Sequence, residues 1–162
     1  MSARKRILLM VLMAVILVFG RTDGQAESRV TRLTGQTVYV PVYSHIYSGN
    51  KNLPFYLTAT VSIRNTDFHH PITITAVDYY DSDGKLVKKY ITAQVPLTAM
   101  ASTRYIVQES DKIGGSGANF IVRWTSSAPA SPPLIESVMI STKSSQGVSF
   151  TSRGQVIEEL FE

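Results

Sequence analysis

The chain has 162 residues, no cysteine, 16 basic against 12 acidic groups, and 17% charged residues. That length holds one domain, since domains run to roughly 100–200 residues. The absence of cysteine excludes a disulfide scaffold, a thiolate zinc site, an iron–sulfur cluster and a cysteine nucleophile. A charged fraction below the usual ~25% excludes a coiled coil or a highly charged disordered tail.

The first 26 residues read as a signal peptide. Arg4-Lys5-Arg6 precedes a 14-residue apolar run from Ile7 to Gly20, and Gly24-Gln25-Ala26 offers the small residues of a cleavage site. A spanning helix needs about 20 apolar residues, so an uncleaved anchor is disfavoured. No cysteine follows the run, which excludes lipid attachment at a mature N-terminal cysteine, and no stable membrane anchor is expected after cleavage. The expected product is periplasmic or secreted and starts at Glu27, with about 136 residues, enough to bury roughly two-thirds of its unfolded surface. Arg4, Lys5, Arg6, Arg21 and Asp23 all lie in the leader, which leaves 12 basic and 11 acidic groups, scattered, in the remainder. A nucleic-acid partner is not expected, because that would call for a basic patch on the folded domain.

Residues 27–35 are polar and read as a flexible N-terminal segment, and 36–162 as one domain. Strands are predicted near 36–44, 56–65, 71–80, 85–92, 102–108, 118–125, 133–141 and 147–152. Leu57, Ala59, Val61 and Ile63 alternate with Thr58, Thr60, Ser62 and Arg64, the period-two pattern of a strand with one buried face. Phe120, Val122 and Trp124 oppose Ile121, Arg123 and Thr125 in the same way. Asp83-Gly84 between two apolar runs is a hairpin signal. Pro71 biases His70 to extended geometry after the turn at Asn65-Thr66-Asp67. Ser126 to Pro133 reads as a loop crossing between sheets, and Gln155 to Phe161 as the best helix candidate. Seven or eight strands with uneven connectors predict an all-β antiparallel sandwich, immunoglobulin-like or jelly-roll, over a barrel.

No motif for catalysis or for a cofactor survives inspection. Gly114-Gly115-Ser116-Gly117-Ala118-Asn119 lacks the Gly-Lys-Ser/Thr ending of a phosphate loop and leads into a strand rather than a helix. It reads as a turn with positive φ or a close backbone approach, with a binding loop of another kind left open. His69 and His70 would point to opposite faces of an extended segment, whereas zinc needs converging ligands. Asp81-Ser82-Asp83-Gly84 lacks the remaining oxygen ligands of a calcium loop. No metal and no cofactor is expected.

In Val38 to Tyr47, an extended chain would put Val38, Val40, Val42 and Ile46 on one face. Tyr39, Pro41, Tyr43, His45 and Tyr47 would fall on the other. Such a ladder of amphipathic rings could stack on sugars or anchor a partner protein. The predicted binding residues are therefore Tyr39, Tyr43, His45 and Tyr47, with Gly114, Gly115, Gly117 and Asn119 of the glycine loop. Pro41 places this run at a sheet edge or a strand end. Residues 36–47 carry no Lys, Arg, Asp or Glu, so an uncovered edge here predicts a homo-oligomer.

Four segments carry a family resemblance: Leu57 to Asp67 (LTATVSIRNTD), Ile72 to Gly84 (ITITAVDYYDSDG), Gly114 to Trp124 (GGSGANFIVRW) and Ser149 to Gly154 (SFTSRG). Together, over roughly Thr34 to Val156, the chain resembles a bacterial family of small exported proteins catalogued only as a domain of unknown function. The resemblance implies an exported β domain with no assigned activity and no catalytic residues to carry over. Asn65 in its turn and the strand into Tyr79-Tyr80-Asp81 also resemble the small β-sandwich transducers that partner microbial sensory rhodopsins. That second likeness implies a sandwich that assembles as an oligomer, but those transducers are cytoplasmic and the leader here departs from them. The functional expectation is an exported, non-catalytic binding or protein-interaction module for a carbohydrate or an envelope protein. The alternative is a cell-envelope hydrolase whose carboxylates converge only in the fold.

Overall fold

The computed structural model describes residues 31–47, 52–142 and 147–160 and folds them into twelve strands with no helix among them. The first four are β1 (Leu33–Pro41), β2 (His45–Tyr47), β3 (Pro54–Tyr56) and β4 (Thr58–Arg64). Then follow β5 (Ile72–Tyr80), β6 (Leu86–Lys89), β7 (Val95–Leu97) and β8 (Ser102–Val107). The last four are β9 (Asn119–Ala130), β10 (Leu134–Ser141), β11 (Val148–Arg153) and β12 (Gln155–Leu160). The signal-peptide segment lies outside the described residues.

One sheet runs β12-β1-β9-β5-β6, with β7 also on β5, and the other runs β11-β10-β4-β8. All pairings are antiparallel. The inward rows are those that the alternation picks out: Ala59, Val61 and Ile63 from β4, and Phe120, Val122 and Trp124 from β9, are all fully buried. The sheets therefore pack face to face around one apolar layer that also takes Ile72, Ile74 and Val77 of β5. Trp124 satisfies its ring N–H on Gln36 Oε1 at 3.3 Å, so the largest core side chain leaves no unpaired donor. The eight expected strands are all present, and Asp81 closes the β5–β6 hairpin by accepting from the N–H groups of Asp83 and Lys85.

Five features differ from expectation. The strand count is twelve among the described residues, because β2, β3, β7 and β12 are short or local elements that the alternation does not mark. β1 begins at Leu33, earlier than the sequence suggests. β9 runs on to Ala130, so the crossing loop expected over 126–133 shrinks to its last three residues. Gln155–Leu160 is a strand, not a helix, and pairs with β1 from Gly35 to Tyr39. That pairing makes β1 an interior strand between β12 and β9, so its uncharged edge is covered within the chain. The free edge that the self-association expectation places on β1 therefore lies elsewhere: the sheet ends in β12, with Val156, Ile157 and Leu160 exposed, on one side and in β6 on the other.

Gly154 makes this arrangement possible. Its N–H donates to Ile135 O at 2.9 Å as the chain leaves β11 in one sheet for β12 in the other. A methyl there would sit 2.7 Å from Val38 Cγ1 and 3.1 Å from Ile135 O, too close for any other residue to turn the corner unchanged.

A ring-and-lysine cluster at one end of the sandwich

Pro41 has no N–H to give, and β1 stops there. The chain beyond it is stitched on both sides. Val42 N donates to Ala118 O at 3.0 Å, Ser44 N and Ser44 Oγ both donate to Gly115 O, and Leu57 N donates to Ser44 O. Ser44 is 1% exposed, so these bonds are shielded from water and fix where the next residues emerge. What emerges is the β2–β3 pair, in which His45 stands opposite Tyr56.

Three rings gather on that pair. His45 and Tyr47 meet edge-on, with centroids 5.1 Å apart, and share a hydrogen bond of 3.0 Å between Nε2 and the phenol. His45 and Tyr56 meet edge-on at 5.8 Å. Lys112 brings its ammonium to 5.2 Å from the Tyr56 ring centroid, within cation–π range. Tyr47 is 54% exposed and offers the most open ring of the set.

The Ser110–Lys112 stretch separates two concavities. One, of about 420 Å³, is lined by Tyr56, Glu109, Ser110 and Lys112. The other, of about 520 Å³, lies between Lys88 and Tyr90 on one side and Ile106, Gln108 and Ile113 on the other. There Lys88 sits 4.3 Å over the Tyr90 ring, and the Tyr90 hydroxyl donates to Ile106 O at 3.0 Å. Burial, and then the nearby Asp111 carboxylate, push the Tyr90 phenol above its ordinary range, so it stays a neutral donor at physiological pH. Asp111 itself accepts from Ile113 N and closes the turn.

The predicted binding residues divide. His45 and Tyr47 join the cluster, and Ser44 ties the segment that carries them to the glycine loop. Tyr43 is half-buried, edge-on to Phe150 of β11 at 5.6 Å. Tyr39 lies on the outer face of the other sheet, in register with Ile121 and Gln155. The ladder of four aromatic rings is therefore broken, because Pro41 ends the strand whose pleat would have aligned them. Asn119 opens β9 between Pro41 and Tyr80.

The glycine loop has structural duties. Gly115 adopts φ +82°, Ser82 N and Ser82 Oγ donate to Gly114 O, and Gly117 N donates to Ser82 Oγ. Tyr56, Tyr90, Lys88 and Lys112 escape a reading of the sequence as site residues. They reach the cluster from three separate segments, around 56, 88–90 and 112, and no local spacing marks them. His70, the other histidine of interest, holds Asp67 Oδ1 at 3.1 Å as part of a turn.

What the chain presents is an all-β domain of two packed antiparallel sheets, with rings and lysines gathered at one end. It belongs to the family described as Protein of unknown function (DUF3124), whose model matches residues 35–157. No curated protein matches the chain. Among solved structures, the chain is similar to a Thermotoga maritima protein titled "Crystal Structure of Thermotoga maritima 1070". The two are 14% identical over 76% of this chain and 96% of that one, with a TM-score of 0.45.

Proposed function

We propose that the protein is an exported, non-catalytic binding module that holds a carbohydrate against Tyr47, Tyr56 and His45. The carrying observation is that an exposed ring, Tyr47, is held in place by a hydrogen bond and an edge contact to His45. A ring fixed before binding presents a flat apolar face at little entropic cost, which suits stacking on a sugar. Lys112 and the phenol hydroxyls supply donors at its rim.

The carboxylates favour this reading over a hydrolase. Asp67, Asp81 and Asp111 accept backbone N–H groups in turns. Asp78 and Glu136 face Arg123 and Arg64, and Glu158 and Glu159 bond to Thr37 and Gln36. Neither concavity of the cluster is lined by two carboxylates, the pair that glycoside hydrolysis requires.

Native gels cast with soluble polysaccharides test the proposal. At least one neutral or acidic polymer should retard the wild type, and Tyr47→Ala should weaken that retardation about tenfold, the usual loss for a contact ring at a binding centre. Its melting temperature should stay near wild type, since the ring is exposed. Unchanged retardation of Tyr47→Ala would assign binding elsewhere. Export is tested separately: the protein recovered from its native host should begin at Glu27, and a full-length chain in the cytoplasm would overturn that part.

A further inference from the structure

At the other end of β4 from the ring cluster, roughly 20 Å away for seven strand residues, lies a second concavity of about 410 Å³. Its walls include Ser62 and Arg64 of β4, Arg104 of β8, and two loop residues, Phe68 and Met100. Phe68 is 74% exposed and Met100 58% exposed, side by side with two guanidinium groups. No carboxylate lines the pocket.

The loops that carry the apolar walls are tied to each other. Asn65 Nδ2 donates to His70 O, Leu97 O and Thr98 O, and so ties the Phe68 loop to the Met100 loop. Met100 N donates to Asp67 O at 3.2 Å. Met100 itself stands at φ +61°, the one non-glycine residue at positive φ among those described. L residues avoid that region, and glycine would fit it better. A methionine held there, with its side chain in the open, contributes nothing to the core.

The two arginines differ. Arg64 is engaged, donating to Ser62 Oγ at 3.1 Å and facing Glu136 at 3.2 Å. Arg104 is exposed and makes no ion pair among the described residues. An uncompensated guanidinium beside an exposed apolar wall on two tied loops matches a ligand that is anionic at one end and apolar at the other. We propose that this pocket binds a small organic acid, with its carboxylate on Arg104 and its apolar body between Phe68 and Met100. A carboxylate meets a guanidinium through two parallel N–H···O bonds, which sets orientation as well as strength. The site is independent of the ring cluster and of any carbohydrate.

The probe is 4-phenylbutyrate, titrated into the exported form of the protein and followed by amide chemical shifts and calorimetry. Saturable binding is expected, with shifts confined to residues 62–68 and 100–104. Acetate, which has the charge alone, and 4-phenylbutanol, which has the body alone, should each bind at least about tenfold more weakly. Arg104→Gln should cost at least about tenfold in affinity. Met100→Gly should weaken binding about fivefold and melt at or above the wild-type temperature, an outcome that a merely structural methionine would not produce. Equal binding by Arg104→Gln, equal binding of 4-phenylbutanol, or no binding at millimolar concentration would each overturn the proposal. So would attachment to phosphatidylglycerol vesicles without binding of the free acid, which would mark a membrane-facing surface instead.

Discussion

Gly114→Ala should destabilise the protein by about 3 kcal/mol or more, the upper end for forcing extra volume into a packed core. A methyl on Gly114 would overlap Tyr79 Oη and come within 2.7 Å of Tyr79 Cζ. Tyr79 cannot step aside, because it is fully buried and its ring stacks on Phe120 at 5.0 Å with Tyr90 edge-on at 6.4 Å. Its hydroxyl has no hydrogen-bond partner among the described residues, and burial keeps the phenol protonated well above its usual range. A buried polar group left unpaired costs about 1–3 kcal/mol. Tyr79→Phe should therefore hold stability steady or raise it by about 1–2 kcal/mol. It also removes the nearer of the two atoms that the Gly114 methyl strikes. In a double-mutant cycle measured by urea unfolding, the two substitutions should couple, with Gly114→Ala costing about 1–2 kcal/mol less when Tyr79→Phe is already present. The coupling should be incomplete because Cζ remains. Additive behaviour, or a Gly114→Ala cost below about 1 kcal/mol, would contradict this packing account.

The same residues mark what a sequence can and cannot disclose. The rows Ala59-Val61-Ile63 and Phe120-Val122-Trp124 are legible because a strand's burial repeats every two residues, a strictly local signal. The hairpin at Asp81 to Gly84 is legible for the same reason, with Gly84 at φ +78° where the turn demands it. Gly114 is different. The glycine run stands out in the sequence, but its cause is a phenol on β5, far back in the chain, and nothing local points to it.

The last strand defeats a local reading for a related reason. Val156, Ile157 and Leu160 are spaced acceptably for a short helix, and only the free edge of β1 decides in favour of a strand. That edge is met by Glu158 and Glu159, which bond to Thr37 Oγ1 at 2.9 Å and Gln36 Nε2 at 3.1 Å. Within the site, His45 and Tyr47 are legible as rings on an apolar run. Tyr56 and Lys112 are not, because a cluster assembled from distant segments leaves no period behind.

The second large effect should come from Asn65, whose replacement by alanine is expected to cost about 3–4 kcal/mol through buried groups left unpaired. Asn65 is 2% exposed. Its amide serves three carbonyls, and its Oδ1 accepts from Asp67 N at 3.0 Å. That bond positions Asp67, itself 1% exposed, whose Oδ1 takes the N–H groups of His69 and His70 while Oδ2 takes Ser131 N at 2.8 Å. Three loops thus hang on two side chains. The N–H donors, Ser131 first and then His69 and His70, hold the Asp67 carboxyl far below the ordinary carboxylate range. A carboxylate depressed in the folded state contributes stability that is fully present above its unfolded pKa, about 3.9, and is lost as pH falls toward the folded value. Wild type should therefore lose stability steadily below about pH 4. Asp67→Asn should be less stable at pH 7, because an amide NH₂ would face one of the N–H groups that an oxygen now accepts. Its deficit should narrow through the acid range, where the wild-type carboxylate is being protonated. Urea midpoints for wild type, Asn65→Ala and Asp67→Asn between pH 2 and 7 decide this. Parallel acid profiles for wild type and Asp67→Asn would show that the carboxylate's charge does not hold these loops.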